Sequence, residues 1–193
     1  MNNIFENDDL SNQTITNEEY TNLDISYKNL DNCTFEKVDF SKSKFDGTVF
    51  SNVTFIDCNL SNCEFTSVGF HNVNFNNCKL LGTDIGKSIL KEVTINNSIC
   101  RYINLYDNSF KKLKLTESDF TESRFYNCML NDAKFNELSL IKSEIVKTKL
   151  TNIDLSTSDI SGINTTSECL YGASISYTQA PLVVGIIGVK VID

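Results

Sequence analysis

Residues 33–55 read CTFEKVDFSKSKFDGTVFSNVTF, with Phe35, Phe40, Phe45, Phe50 and Phe55 standing five apart. The series continues in both directions, and counting in fives from Ile25 to Ile160 gives 28 large apolar or Cys residues without a slip of register. Thr165 is the first failure. A second series lies two residues earlier in each unit: of its 27 positions from Cys33 to Ile163, only Asn108 is not Cys, Ser, Thr, Ala, Val, Ile or Leu. Five residues turn a helix by about 140°, which would smear the large side chains over every face. A flat strand is excluded as well, because an odd period sends successive large residues to opposite faces. The chain must therefore bend once per unit. Residues two apart in a short extended segment share a face, so the large and the small residue point inward together and the other three meet water. The result is a coil wound round a narrow core, a β-helix type of solenoid.

Units such as SKFDG ending at Gly47, CNLSN ending at Asn62 and SDFTE ending at Glu122 resemble those of the pentapeptide-repeat proteins, over roughly residues 21–176. The resemblance implies an all-β fold, a right-handed quadrilateral β-helix with four units per coil. Seven coils at the ~4.8 Å strand spacing would make a rod of roughly 34 Å.

Three segments follow: an acidic, irregular cap over 1–20, the repeat solenoid over 21–176 and a C-terminal segment over 177–193. In the cap the large series persists as Phe5, Leu10, Ile15 and Tyr20, but the small position holds Asn3, Asp8, Gln13 and Glu18. Burying such groups without partners costs roughly 1–3 kcal/mol each, so a frayed or irregular end is expected there. The formal charge of −8 is unevenly spread. Residues 1–20 carry five acids and no base, whereas residues 21–160 carry 18 acids and 16 bases, leaving a nearly neutral shaft. The sequence has no 18-residue apolar run, signal-peptide pattern or transit-peptide bias, so no membrane association is expected and the chain reads as cytoplasmic. Of its seven cysteines, Cys33, Cys58, Cys63, Cys78 and Cys128 hold the small inward position and Cys100 the large one. Cys58 and Cys78 should stack at one strand spacing, within disulfide reach, but that compartment favours thiols.

Residues 20 apart should stack in columns. Asn32, Asn52 and Asn72 form an outward column suited to an amide ladder. On another, Tyr106, Tyr126 and Val146 make an apolar stripe where earlier coils have Asp46, Thr66 and Gly86. Tyr102, Met129 and Ile141 add bulk to the same half of the chain. A contiguous stripe marks either a partner surface or a seat for the chain's own tail.

NTTSEC at 164–169 breaks the register, and Leu170, Ala173 and Ile175 restore it for a last partial coil. SYTQAPLVVGIIGVKVID follows, with the chain's only proline at 181. Thr178 and Pro181 predict the start of a short helix, and Val189 to Ile192 alternate like a strand. An apolar end on a soluble rod needs covering, and pairing about a two-fold axis is the common solution. Leu182, Val183, Ile186, Ile187 and Val189 are the expected contacts of that homodimer. Tyr177, Gln179, Ala180, Leu182, Ile187, Gly188, Val191 and Ile192 are similar to the C-terminal segment of the Qnr-type quinolone-resistance proteins. That resemblance implies a DNA-mimicking dimer that binds the type II topoisomerases DNA gyrase and topoisomerase IV and protects them from quinolones. The repeats run from Leu30 to Ile160 without insertion. The chain is thus more similar to the loop-free members from Gram-positive bacteria than to those with activity-bearing loops.

A uniform rod supplies no pocket of convergent polar groups, so no enzymatic activity, cofactor or metal is expected. His71, the only histidine, follows the inward Phe70 and falls on the solvated face. Lys111, Lys112 and Lys114 cluster, but Glu117, Asp119 and Glu122 follow them, which does not make a nucleic-acid groove.

Overall fold

A computed structural model describes residues 4–192. Parallel strands pair at a constant offset of 20 residues, from Asp9↔Asn29 to Glu144↔Asn164. Four units therefore complete one turn. One column of single bridges runs Glu19, Asp39, Asn59, Lys79, Ile99, Asp119, Ser139 and Asp159, so the rod has about eight turns where seven were expected. The extra turn comes from the N-terminus. Strands Asp9–Ser11 and Thr14–Thr16 pair with Asn29–Asp31 and Thr34–Glu36, so residues 9–20 are in coil register and not irregular. The physical objection to burying Asp8, Gln13 and Glu18 still holds, and it is met by exposure: all three face water at the open end. Phe5 closes that end, its ring edge-on to Tyr20 at 5.2 Å and 6.1 Å from Phe40. Asn3, the first of the polar small positions, lies outside the described residues.

The bend required once per unit has one cause, repeated. The residue two after each large one adopts a left-handed conformation with φ near +55°, from Asn12 through Asn152. Most occupants are Asn, Asp, Lys, Glu or Gly, which avoid the Cβ branching that makes this region costly. Each bend turns the next small residue inward, and the core is continuous from Phe5 to Ile160.

In the Phe-rich coils the rings stack along the axis: Phe35 on Phe55 at 5.3 Å, Phe55 on Phe75 at 5.0 Å and Phe45 on Phe65 at 4.7 Å. Further on, Ile and Leu take over the large positions while Ile103, Leu113, Leu138 and Ile153 enlarge the small ones, so core volume is conserved.

The small series does more than save space. Ser43 Oγ accepts from the Leu23 amide at 2.9 Å and donates to the Tyr20 carbonyl at 2.8 Å. Thr48, Ser88 and Thr148 repeat this bridge to the preceding coil, and the Cys63 thiol donates to the Phe40 carbonyl at 3.1 Å. Asn108, the exception in the series, is buried and makes the same bridge with a longer side chain: its Oδ1 accepts from the Ser88 amide at 3.0 Å and its Nδ2 donates to the Ile85 carbonyl at 2.8 Å. All seven cysteines are buried free thiols, Cys58 and Cys78 included. Burial pushes the Cys63 thiol up to about 12 and that of Cys128 to about 11.

The outward Asn column is discontinuous. Asn32 donates to Asn12 at 2.7 Å and Asn72 to Asn52 at 2.9 Å, but Asn52 turns to the Asp31 carboxylate at 3.4 Å, so the rung from Asn32 to Asn52 is missing. A carboxylate is the stronger acceptor.

The break at 164–169 contains a helical turn, Ser167–Leu170, whose first amides are capped by Thr166. Residues 189–192 form no strand within the described residues, because a strand at the end of a single rod has no neighbour to pair with. No helix is long and apolar enough to cross a membrane.

Candidate interaction surfaces

The C-terminal segment begins with a 3-10 turn, Tyr177–Gln179, and continues as the helix Ala180–Ile186 with Pro181 in its first turn. Ser176 stands at the N-cap of the 3-10 turn and Gln179 at that of the helix, so Thr178 caps neither. The Ser176 amide donates to Gln179 Oε1 at 2.7 Å. Gln179 Nε2 reaches into the last coil and donates to the carbonyls of Leu155 at 2.9 Å and Ser158 at 2.7 Å. This buried amide anchors the tail to the rod. Its position in the repeat would face outward, so periodicity does not reveal it; the one signal is a polar residue directly before the apolar run from Ala180 to Ile187.

The five predicted dimer contacts separate into two groups. Val183 packs against the chain's own core and Ile186 is half-buried. Leu182, Ile187 and Val189 are 42, 60 and 51% exposed, and with Val191 and Ile192 they make an apolar surface at this end of the rod. Such a surface costs about 25 cal/mol per Å² left in water.

The stripe is assembled in register, with Gly86 opposite Tyr106, Tyr106 opposite Tyr126 and Tyr126 opposite Val146. All three bulky residues are half-buried. The Tyr106 ring lies flat over Gly86, where a Cβ would overlap it, and buries that glycine. Tyr126 accepts a hydrogen bond from Lys147 Nζ at 2.9 Å, with the ammonium 5.1 Å from the ring centroid. The tail does not seat on this stripe; it sits on the last coil through Gln179 and Val183.

Elsewhere the shaft is a mixed surface whose charges pair along columns: Lys44 with Glu64 at 3.2 Å, Glu92 with Lys112 at 2.8 Å and Arg124 with Glu144 at 2.7 Å. His71 is exposed, with Nε2 3.3 Å from Lys91 Nζ. Among the described residues no three His, Cys, Asp or Glu side chains converge as a metal site.

A four-sided parallel coil with a continuous narrow core and all of its chemistry on the outside defines a β-solenoid. Residues 28–105 match the family described as "Pentapeptide repeat region" and residues 118–156 match "Pentapeptide repeats (8 copies)". Together these span more than half of the sequence, and the chain belongs to the pentapeptide-repeat family. No curated protein matches the sequence significantly. Among solved structures, full-length QnrB1, a plasmid-mediated fluoroquinolone resistance protein, is 16% identical over 92% of this chain and 100% of its own, with a TM-score of 0.43. HetL, a pentapeptide repeat protein involved in heterocyst differentiation regulation in the cyanobacterium Nostoc sp., is 12% identical over 84% of this chain and 88% of its own, with a TM-score of 0.34. Rfr23 from the cyanobacterium Cyanothece is 10% identical over 90% and 95%, with a TM-score of 0.20.

Proposed function

We propose that this chain is a DNA-mimicking homodimer that binds type II topoisomerases, DNA gyrase and topoisomerase IV, and protects them from quinolones. The observation that carries the reading is the C-terminal segment. Its sequence from Tyr177 to Ile192 is similar to the dimerisation segment of Qnr-type proteins, and Leu182, Ile187 and Val189 present an apolar surface beyond the last coil. Eight rungs at the ~4.8 Å strand spacing make a rod of roughly 38 Å, so two joined end to end span about 75 Å, on the order of 20 base pairs of duplex. Tyr106, Tyr126 and Val146, with no insertion loop beside them, are the partner surface in this reading.

A second reading, a protein-interaction rod with a different partner, is favoured by the near-neutral, ion-paired shaft, which presents little of the field of a polyanion. A gyrase supercoiling assay with ciprofloxacin, titrating purified protein from nanomolar to tens of micromolar, separates the two. Rescue at low protein supports protection, and inhibition without rescue supports mimicry alone. An assay that shows neither, with no binding to either topoisomerase, leaves the second reading.

A further inference from the structure

The coil ladder has an opening. Strands Met129–Asn131 and Lys134–Asn136 pair on one side only, with Ser109–Lys111 and Lys114–Thr116 of the coil below. On the other side no main-chain hydrogen bond joins residues 129–136 to residues 149–156 among the described residues. Both ends of the gap are closed. Asn127 donates to the Val146 carbonyl at 3.0 Å before it, and after it the Asp159 amide donates to the Leu138 carbonyl at 2.8 Å. The remaining faces of the same two coils stay joined, through Arg124–Tyr126 with Glu144–Val146 and through the Ser139↔Asp159 bridge.

The sequence marks the far end of the opening. Thr157 stands at the bend position, the only β-branched occupant from Asn12 to Gly162, and it is absent from the residues of left-handed φ. A branched Cβ is disfavoured there. The bend after Leu155 therefore takes another form, and the Thr157 hydroxyl, not a main-chain carbonyl, receives the Glu137 amide at 3.1 Å.

The half of the opening nearer residue 129 holds cavities of about 600 Å³, between Leu130–Lys134 and Thr151–Asn152, and about 390 Å³, bordered by Met129, Lys147 and Lys149. Met129 is 61% exposed and Leu130 half-buried, so both offer apolar surface at the lip. The lining of the two cavities carries Lys134, Lys147 and Lys149 and one carboxylate, Asp132, with Asp107 near Lys147 and Glu168 in the adjoining groove beside Lys149, and Lys134 and Lys149 make no ion pair among the described residues. Farther along, Asp154 is turned to the Ser156 amide at 2.8 Å. In a chain of net charge −8 this is a local reversal of sign around unpaired strand edges.

We infer that this opening is a docking site for an extended acidic peptide, which adds as a strand to the edge at Met129–Asn131, before the bend at Asp132, and sets its carboxylates among Lys134, Lys147 and Lys149. Main-chain pairing supplies affinity, and the alternating side chains supply selection: apolar ones against Met129 and Leu130, acidic ones toward the lysines. The site is separate from the tail surface, meets the stripe only where Lys147 bonds Tyr126, and does not depend on the topoisomerase reading.

The test is amide hydrogen exchange on the full chain, free and with a capped hexapeptide alternating glutamate and valine, with the lysine–valine peptide as control. In the free protein the Leu130 and Phe135 amides should exchange faster than the equivalent Phe110 and Leu115 amides one coil below. The acidic peptide should slow the Leu130 amide, the basic one should not, and Lys134→Glu with Lys149→Glu should weaken binding about tenfold, a change that fits exposed charges. Thr157→Asn restores a residue suited to the bend; it should protect the Phe135 amide without peptide and reduce peptide binding. Equal exchange at Leu130 and Phe110 in the free protein overturns the proposal, as does equal binding of both peptides or no protection at millimolar acidic peptide.

Discussion

Tyr106 is either a free contact residue or part of the rod's own packing, and Gly86→Ala decides which. Gly86 does not have a left-handed φ, so alanine fits its backbone, and the nearest obstacle is the Tyr106 ring, which lies well inside the 3.0 Å that Cβ contacts do not cross. The ring must lift into water and give up the contact that buries Gly86. Overpacking of this kind costs about 1–3 kcal/mol in a closed core, and a surface ring that can swing away should cost about 1–2 kcal/mol. In a Tyr106→Ala background the obstacle is gone, and the same substitution should be neutral or stabilise by about 0.5 kcal/mol through the less flexible unfolded chain. The cycle thus carries a coupling of about 1–2 kcal/mol, on the order of 3–6 °C in melting temperature for a chain of this size. Circular dichroism melts of the four proteins measure it. Additivity within about 0.5 kcal/mol would show that the ring does not lean on Gly86, and would return Tyr106 to the free surface.

Phe75 is buried and stacked 5.0 Å from Phe55, so Phe75→Asp should cost several kcal/mol and leave the protein unfolded or aggregated, whereas Asn76→Asp, one residue away on the outer face, should shift the melt by under about 0.5 kcal/mol; comparable losses would mean that the inward register is wrong. Gln179→Ala removes the side-chain partner of the Ser158 carbonyl and the Ser176 amide and leaves the Leu155 carbonyl only the Ser158 amide, and a loss of about 1–3 kcal/mol is expected, with proteolysis beginning at the tail; an unchanged tail cleavage rate contradicts the anchor. Leu182→Asp with Ile187→Asp should convert a dimer to a monomer by light scattering, while Val49→Asp, also on exposed apolar surface but on the shaft, should not; a monomeric wild type at micromolar concentration removes the dimer. Hydrogen bonds from Ser26 and Ser161 hold the carboxyls of Asp24 and Asp159 below the usual range. Folded values below the unfolded one of about 3.9 mean that this stabilisation is full above that pH and is lost as pH falls through the folded values. Asp24→Asn with Asp159→Asn should flatten the acid side of the stability curve, and an unaltered slope refutes the assignment.

The sequence discloses the rod so completely because one physical requirement is met 28 times over: each unit must place a large and a small residue inward and bend once, and every unit says so in the same letters. What it disclosed poorly depends on contacts between units. The bridging role of Ser43, Thr48 and Asn108 needs the carbonyl of a residue 23 positions earlier, which a reading by size alone does not contain. Gln179 is buried because the chain leaves the repeat just before it, so its nominal outward phase no longer applies. Tyr106 and Gly86 were both visible as members of one column, yet the ring's choice to lie on the glycine is a rotamer, not a pattern. Thr157 is the instructive case, since its signal was present in the same period that gave the fold. The large and small series set the inward pattern, and the bend series is the step that makes a solenoid of a strand. A single branched residue there changes no inward contact, and Leu155 and Ser158 on either side stay buried. It replaces a main-chain carbonyl with its own hydroxyl as the acceptor of the Glu137 amide, at the edge of an opening that no insertion or loop marks.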